Sequence, residues 1–177
     1  MAKITFILGG ARSGKSTFAL NLAKKYKKVA FIATGQALDR EMKKRILLHR
    51  KARPSHWQTF EEDKEITSAL QKIGDNFDCV VIDCLTLWVS NLMLSGFNQE
   101  KIEGKISEVL SIIKKIKGKV IIISNEVGLG IVPVNKLARR FRDIAGKVNQ
   151  IVACEASKVF FMVSGLAMKI KKGKRNG

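Results

Sequence analysis

The sequence predicts an α/β fold, a three-layer αβα sandwich with a mostly parallel sheet. Three observations predict it. Short apolar runs alternate with longer amphipathic ones along the whole chain, which is the pattern of βαβ units. The apolar runs are continuous, as expected of strands covered by helices on both faces. Between the first apolar run and the first amphipathic one stands Gly9-Gly10-Ala11-Arg12-Ser13-Gly14-Lys15-Ser16. That segment fits G-x-x-x-x-G-K-[ST] at every fixed position, and so specifies a P-loop NTPase type of sandwich.

The elements follow in order. Residues 4–8 form a β-rich run that ends in Gly9-Gly10. Residues 16–26 have helical spacing, with Phe18, Leu22 and Tyr26 on one face. Residues 29–33 read as a second strand and 37–51 as a strongly basic helix. A helix is expected over 64–73, and a buried, β-branched strand over 79–83. Helices follow over 85–94 and 100–115, then the most apolar strand over 119–124. Residues 136–156 read as a long helix and 159–163 as a last strand. No repeat or linker divides the chain, so one domain is expected over 1–177, with 169–177 as a basic tail. In such sheets ligands sit at the carboxyl ends of the strands. The loops after Leu8, Ala33, Asp83 and Ser124 are therefore where chemistry is sought.

Composition narrows the function classes. The chain has 177 residues, 46% hydrophobic and 27% charged, a globular balance that excludes wholesale disorder. A membrane span needs about 20 apolar residues; the strongest run, 79–90, is shorter and is interrupted by Asp83. The three cysteines, Cys79, Cys84 and Cys154, are too scattered for a disulfide framework or a CxxC metal site. A reduced, cytoplasmic protein is expected. The net charge is +18, which suits anionic partners or reflects lysine-rich solvated helix faces. Nucleic acid is disfavoured as a partner. No binding motif is present, and aromatics are only 7%, sparse for a base-stacking platform.

The glycine-rich loop carries the first chemistry. Its glycines let successive backbone N–H groups point at phosphate oxygens, and the following helix adds its N-terminal partial positive charge. Lys15 is expected at the β- and γ-phosphates and the Ser16 hydroxyl on Mg²⁺. Asp83 ends the strand over 79–83, where the second carboxylate of such sites holds the metal. Its other available role is an N-cap for the helix near Leu85. Ser16 and Asp83 together form the expected metal pair.

Three segments carry a more specific resemblance: the P-loop, His49-Arg50-Lys51-Ala52-Arg53-Pro54-Ser55-His56-Trp57, and Ser124-Asn125-Glu126-Val127-Gly128-Leu129-Gly130-Ile131-Val132-Pro133 with Leu137-Ala138-Arg139-Arg140-Phe141-Arg142-Asp143. Together they resemble the bifunctional adenosylcobinamide kinase/adenosylcobinamide-phosphate guanylyltransferase family of cobalamin biosynthesis, over nearly the whole chain. The resemblance implies two reactions. A nucleoside triphosphate, ATP or GTP, phosphorylates adenosylcobinamide. GTP then loses pyrophosphate, and its GMP passes through a GMP-histidine intermediate to adenosylcobinamide phosphate. It implies His49 as the nucleophile, and a homo-oligomer, a trimer. It also implies nucleotide contacts at Thr34, Gly35 and Gln36, at Ala52, Arg53, Pro54 and Ser55, and at Glu61, beside the P-loop and Asp83.

A neutral imidazole is a competent nucleophile near pH 7. Arg45, Arg50 and Arg53 lie near His49 in sequence and could hold a triphosphate. His56 is the other histidine, expected to pack or bond beside Trp57. Glu61 could accept from the guanine N1–H and N2–H. Asn125 and Glu126, after the strand expected beside the P-loop strand, could orient an attacking hydroxyl. Arg139, Arg140 and Arg142 read equally as phosphate ligands or as a solvated basic face. A plain P-loop kinase would explain the P-loop and Asp83, but not the segment from His49 to Trp57.

Overall fold

The computed structural model describes residues 4–37 and 39–171, with every side chain among them except that of Arg45. Seven strands form one sheet. They are β1 (Ile4–Gly9), β2 (Val29–Ala33), β3 (Gln58–Glu61), β4 (Cys79–Asp83), β5 (Lys119–Ile123), β6 (Lys158–Val163) and β7 (Leu166–Lys171). Their order is β3-β2-β4-β5-β1-β6-β7. All neighbours are parallel except β6 and β7, which form an antiparallel hairpin. The helices are α1 (Lys15–Ala23), α2 (Arg40–Lys51), α3 (Ile66–Ile73), α4 (Leu85–Leu94), α5 (Gln99–Lys115) and α6 (Lys136–Glu155).

The continuous apolar strands bury both faces. Successive strand side chains point to opposite sides. Phe6, Ala30, Ile32, Val80, Ile82, Val120 and Ile122 face one core, with Leu70, Trp88, Ile106 and Val148 from the helices. Their odd-numbered neighbours Ile7, Phe31, Val81, Ile121 and Ile123 face the other, with Ala19, Ala23 and Trp57. A one-residue slip of any central strand would exchange these two sets, so the register is strongly specified.

Two strands depart from the expected plan. β3 adds a parallel edge strand beside β2; Gln58-Thr59-Phe60-Glu61 has no apolar run to announce it. β7 takes Lys169 and Lys171 into the sheet, where a basic tail was expected from residue 169. Residues 172–177 of that tail lie outside the described residues, as does the Arg45 side chain. The β6–β7 connection is Ser164-Gly165, both with positive φ (50° and 84°), the backbone of a tight two-residue hairpin turn. α2 begins at Arg40 rather than 37, because the Asp39 side chain caps it by accepting from the Met42 N–H at 2.7 Å. α1 stops at Ala23, short of Tyr26.

Among the described residues, no helix is long and apolar enough to cross a membrane. β5 lies between β4 and β1. This order brings the P-loop, Asp83 and the Ser124–Asn125 corner side by side at the carboxyl end of the sheet.

Candidate active site

The P-loop turns because its glycines permit it. Gly9 has φ 151°, and a Cβ there would stand 2.6 Å from the Met162 carbonyl and 2.7 Å from Ser13 Oγ. Gly14, the residue before α1, has φ 93°, a conformation that L side chains avoid. The loop is also braced from outside the motif. The Gly165 N–H donates to the Ser13 carbonyl at 3.1 Å, so the β6–β7 turn sits against the loop. Lys15 folds back over the loop, where its Nζ donates to the Gly10 carbonyl at 2.5 Å and to Ser13 Oγ at 3.4 Å. Lys15 is 7% exposed, and burial holds its ammonium below the ordinary lysine pKa.

The second carboxylate is in reach of the loop. Ser16 Oγ donates to Asp83 Oδ2 at 3.0 Å. The N-terminal cap position of α4 is Cys84, and no side chain caps it, so Asp83 is turned to the P-loop and not to the helix. Burial is the largest influence on Asp83 and pushes its carboxyl above the usual range. The Ser16 hydrogen bond and the neighbouring His49, Arg53 and Lys15 oppose that shift. Ser16 and Asp83 offer hard oxygen donors of the kind Mg²⁺ takes. Adjacent corners of an octahedron with Mg–O bonds of 2.0–2.1 Å lie about 2.9 Å apart, close to the 3.0 Å observed. Among the described residues, no cluster of three or more His, Cys, Asp or Glu could hold a metal by itself.

His49 stands in the last turn of α2 with its Nδ1 3.9 Å from Asp83 Oδ2. Its side chain is 47% exposed, against 13% for Asp83, so the imidazole forms a rim and the carboxylate the floor. Met42, Ile46, His49 and Arg53 recur at helical spacing, and all line the same cleft of about 510 Å³. Two cations flank His49 on this wall. Arg50 pairs with Glu61 at 3.5 Å, and the Arg53 guanidinium lies 3.7 Å from the Phe31 ring centroid.

The cleft is amphipathic. Lys15, Ser16, Arg12 and Asp83 line one side, and Ala33, Ala37, Met42, Ile46 and Leu87 supply apolar surface. A cleft of this size and mixed lining suits one ligand with a charged end and a flat apolar end.

The expected site residues are not all placed alike. Ala11, Arg12, Ser13, Gly14, Lys15, Ser16, Gly35, His49, Arg53, Glu61 and Asp83 line the cleft. Gly9 and Gly10 shape the loop behind it. Thr34 is fully buried: its hydroxyl donates to the Cys84 carbonyl at 2.7 Å and accepts from the Cys84 N–H at 2.8 Å. Gln36 hydrogen-bonds Asp63 through its side chain. Ala52 lines a smaller cavity of about 170 Å³ that also adjoins His49. Pro54 accepts the Trp57 N–H through its carbonyl, and Ser55 and His56 are exposed. The lining of the larger cleft therefore includes none of Thr34, Gln36, Ala52, Pro54 and Ser55.

Several lining or supporting residues escaped the sequence. Met42 and Ile46 were hidden in a helix whose average is strongly basic; the spacing 42-46-49-53 was the available signal. Leu87 of α4 and the bracing Gly165 N–H depend on tertiary contacts alone. Arg139 is tied into its own loop: its Nη1 donates to the carbonyls of Pro133 at 3.0 Å and Val134 at 2.5 Å.

Comparison with known proteins adds the chemistry. Residues 5–170 match the family model described as cobinamide kinase / cobinamide phosphate guanyltransferase. The bifunctional adenosylcobalamin biosynthesis protein CobP of Pseudomonas aeruginosa PAO1 is 43% identical over 166 residues, covering 93% of this chain and 95% of that protein. The bifunctional adenosylcobalamin biosynthesis protein CobU of Salmonella typhimurium LT2 is 40% identical over 177 residues, covering 93% and 98%. Among solved structures, the RadB recombinase superposes with a TM-score of 0.54 at 19% identity, over 90% of this chain and 73% of that one. A KaiC-like protein of Pyrococcus horikoshii gives 0.50 at 15% identity, over 90% and 70%. These two likenesses concern the fold alone.

Proposed function

Because this chain belongs to the cobinamide kinase / cobinamide phosphate guanyltransferase family, as a bifunctional enzyme of adenosylcobalamin biosynthesis, we propose that its one cleft serves two successive transfers. In the first, the terminal phosphoryl group of ATP or GTP passes to the aminopropanol hydroxyl of adenosylcobinamide. In the second, GMP passes from GTP to the resulting phosphate by way of His49. The observation that carries this reading is the shared position of two kinds of chemistry. The P-loop with Ser16 and Asp83, and a histidine 3.9 Å from that same Asp83, line one cavity.

In the kinase step, the P-loop N–H groups and Lys15 hold the β- and γ-phosphates and offset the charge that develops on the transferred group. Ser16 and Asp83 would hold Mg²⁺, which would offset the charge of the triphosphate. The acceptor hydroxyl oxygen bonds to the γ-phosphorus and its proton passes to solvent, the bond to the β-phosphate oxygen breaks, and the nucleoside diphosphate leaves.

In the guanylyl step, an imidazole nitrogen of His49 bonds to the α-phosphorus of GTP and pyrophosphate leaves. A phosphate oxygen of adenosylcobinamide phosphate then bonds to that phosphorus and the P–N bond breaks. This gives adenosylcobinamide-GDP and frees the imidazole. Resting GMP on the protein splits one hard transfer into two easier ones. Arg53 would supply a guanidinium on the phosphate side, and Glu61, which pairs with Arg50 in this structure, would accept from the guanine edge.

Product analysis tests the whole reading. The protein with cobinamide and ATP should yield cobinamide phosphate and ADP. Adding GTP should yield pyrophosphate and the GDP-linked corrinoid in equal amounts. No phosphate ester with either nucleotide would overturn the kinase half.

Asp83 gives a sharper result. Its folded pKa is raised, so its favourable contribution is present below the ordinary carboxylate range and is lost as pH rises through the folded value. At pH 7 the unliganded protein therefore bears the cost of a buried carboxylate. Asp83→Asn removes that cost and the charge together. Phosphorylation should fall by orders of magnitude, while the melting temperature at pH 7 stays level or rises. Intact kinase activity in that variant would remove Asp83 from the metal pair.

A further inference from the structure

The segment from Ser124 to α6 has features that nucleotide binding does not use. Its first residues are fixed on all sides. Ser124 N donates to the Ile7 carbonyl at 3.0 Å, and Glu126 N to the Gly9 carbonyl at 3.0 Å. Asn125 N donates to Thr86 Oγ1 at 2.6 Å, and Asn149 Nδ2 donates to the Asn125 carbonyl at 3.1 Å. Thr86, Ser124 and Asn149 are buried. Four hydrogen bonds thus clamp the Asn125 backbone and its neighbours. Asn125 itself lines the cleft.

Farther along, the loop satisfies its own polar groups. Glu126 Oε1 accepts from the Gly128 N–H at 2.6 Å. Arg139 closes the other end on the Pro133 and Val134 carbonyls, and Asn135 caps α6 by accepting from the Ala138 N–H at 3.0 Å. The aliphatic side chains point outward instead: Leu129 is 79% exposed, Ile131 96%, Val132 58% and Val134 96%. Isolated exposed aliphatics are ordinary; four within residues 129–134, on a loop that satisfies its own polar groups, offer apolar surface to a ligand.

The substrate class supplies the occupant; this inference rests on the proposed function. A corrin macrocycle has broad apolar faces, is much larger than its aminopropanol arm, and carries the reacting hydroxyl at the end of that arm. A cleft of about 510 Å³ is within the size of a pocket for one small ligand, and the nucleotide takes it. The arm must enter while the ring stays outside. The loop runs in that same order, from Asn125 in the cleft to the outward aliphatic shelf. We propose that residues 125–134 form the acceptor subsite: Asn125 meets the aminopropanol end, and Leu129, Ile131, Val132 and Val134 seat a face of the corrin ring.

The test is the double variant Ile131→Ser, Val134→Ser. Three readouts are taken: equilibrium binding of cobinamide, GMP labelling from GTP alone, and solution mass by light scattering. Cobinamide binding should weaken by roughly tenfold or more, since two aliphatic side chains lose most of their burial. GMP labelling, which needs no acceptor, should persist and shows that the variant is folded. The mass should not change, and Ile131→Leu with Val134→Leu should restore binding. Unchanged cobinamide affinity overturns the subsite. A fall in mass together with weaker binding also overturns it, and assigns the shelf to a second copy of the chain. Absence of GMP labelling in the unmodified protein would fail the His49 step instead, and the binding measurement would still decide the subsite.

Discussion

His49→Asn should abolish labelling by GTP carrying its isotope on the α-phosphorus, and with it the formation of the GDP-linked corrinoid. It should leave much of the phosphorylation of cobinamide in place. The separation follows from chemistry. Phosphoryl transfer to a hydroxyl needs an in-line acceptor, the P-loop cations and the metal pair, and has no use for an imidazole nucleophile. GMP transfer by way of the protein needs a nitrogen on which GMP can rest. The imidazole is on the rim, 47% exposed, so its loss leaves the core intact. The label on the unmodified protein should be acid-labile and alkali-stable, as a phosphoramidate is. His56→Asn is the control: His56 is exposed and does not line the cleft, so that variant should still label. Labelling that survives in the His49 variant, or that disappears only in the His56 variant, would sink the assignment.

How far the sequence revealed this arrangement depends on how locally each feature is encoded. β1, β2, β4 and β5 were legible because a strand buried on both faces is a continuous apolar run; β6 is only partly covered but keeps an apolar run over residues 159–163. β3 was not, because Gln58 and Glu61 are exposed and only Phe60 packs on the core. β7 alternates Leu166, Met168 and Ile170 with Ala167, Lys169 and Lys171. The strand is exposed at every position but Lys171, its apolar residues included, so no buried face marked it and its lysines resembled a tail. Charged residues on such an edge oppose unwanted strand pairing.

The site divides in the same way. Lys15, Ser16 and the glycines were legible because P-loop chemistry is fixed by contiguous residues. Asp83 needed only a strand end and a P-loop to be suspected. The approach of His49 to Asp83 was not legible from spacing. It depends on β2 and β4 being neighbours, so that α2, which leaves from β2, passes over the end of β4. Thr34 is the opposite case. The family resemblance implied a nucleotide contact there, whereas its buried hydroxyl bonds the Cys84 backbone on both sides. Asn91 also donates to the Thr34 carbonyl at 2.8 Å. The residue shapes the cleft floor from behind.

Lys15→Ala should have the widest effect, because in the proposed scheme both transfers begin with a triphosphate on the same loop. Removing one preorganised group that stabilises developing charge commonly lowers the rate by roughly 10²–10³. Here the group is a full cation, so phosphorylation of cobinamide should fall at least that far. GMP labelling should fall too, through weaker GTP binding rather than loss of a nucleophile, and should recover in part at high GTP. That recovery separates this variant from His49→Asn. Stability should move the other way. Burial holds the Lys15 ammonium below its ordinary pKa, so the charged form is disfavoured on folding. This deficit is present at neutral pH and fades as pH rises from the folded pKa to the ordinary lysine value. The unliganded variant should therefore melt no lower than the unmodified protein at pH 7. GTP that binds only the folded chain stabilises it by an amount that grows with the logarithm of its concentration over Kd. The unmodified chain should show that rise in melting temperature, and the variant should lose most of it. Near-normal phosphorylation, or an undiminished thermal shift with GTP, would remove Lys15 from the phosphate site and the P-loop assignment with it.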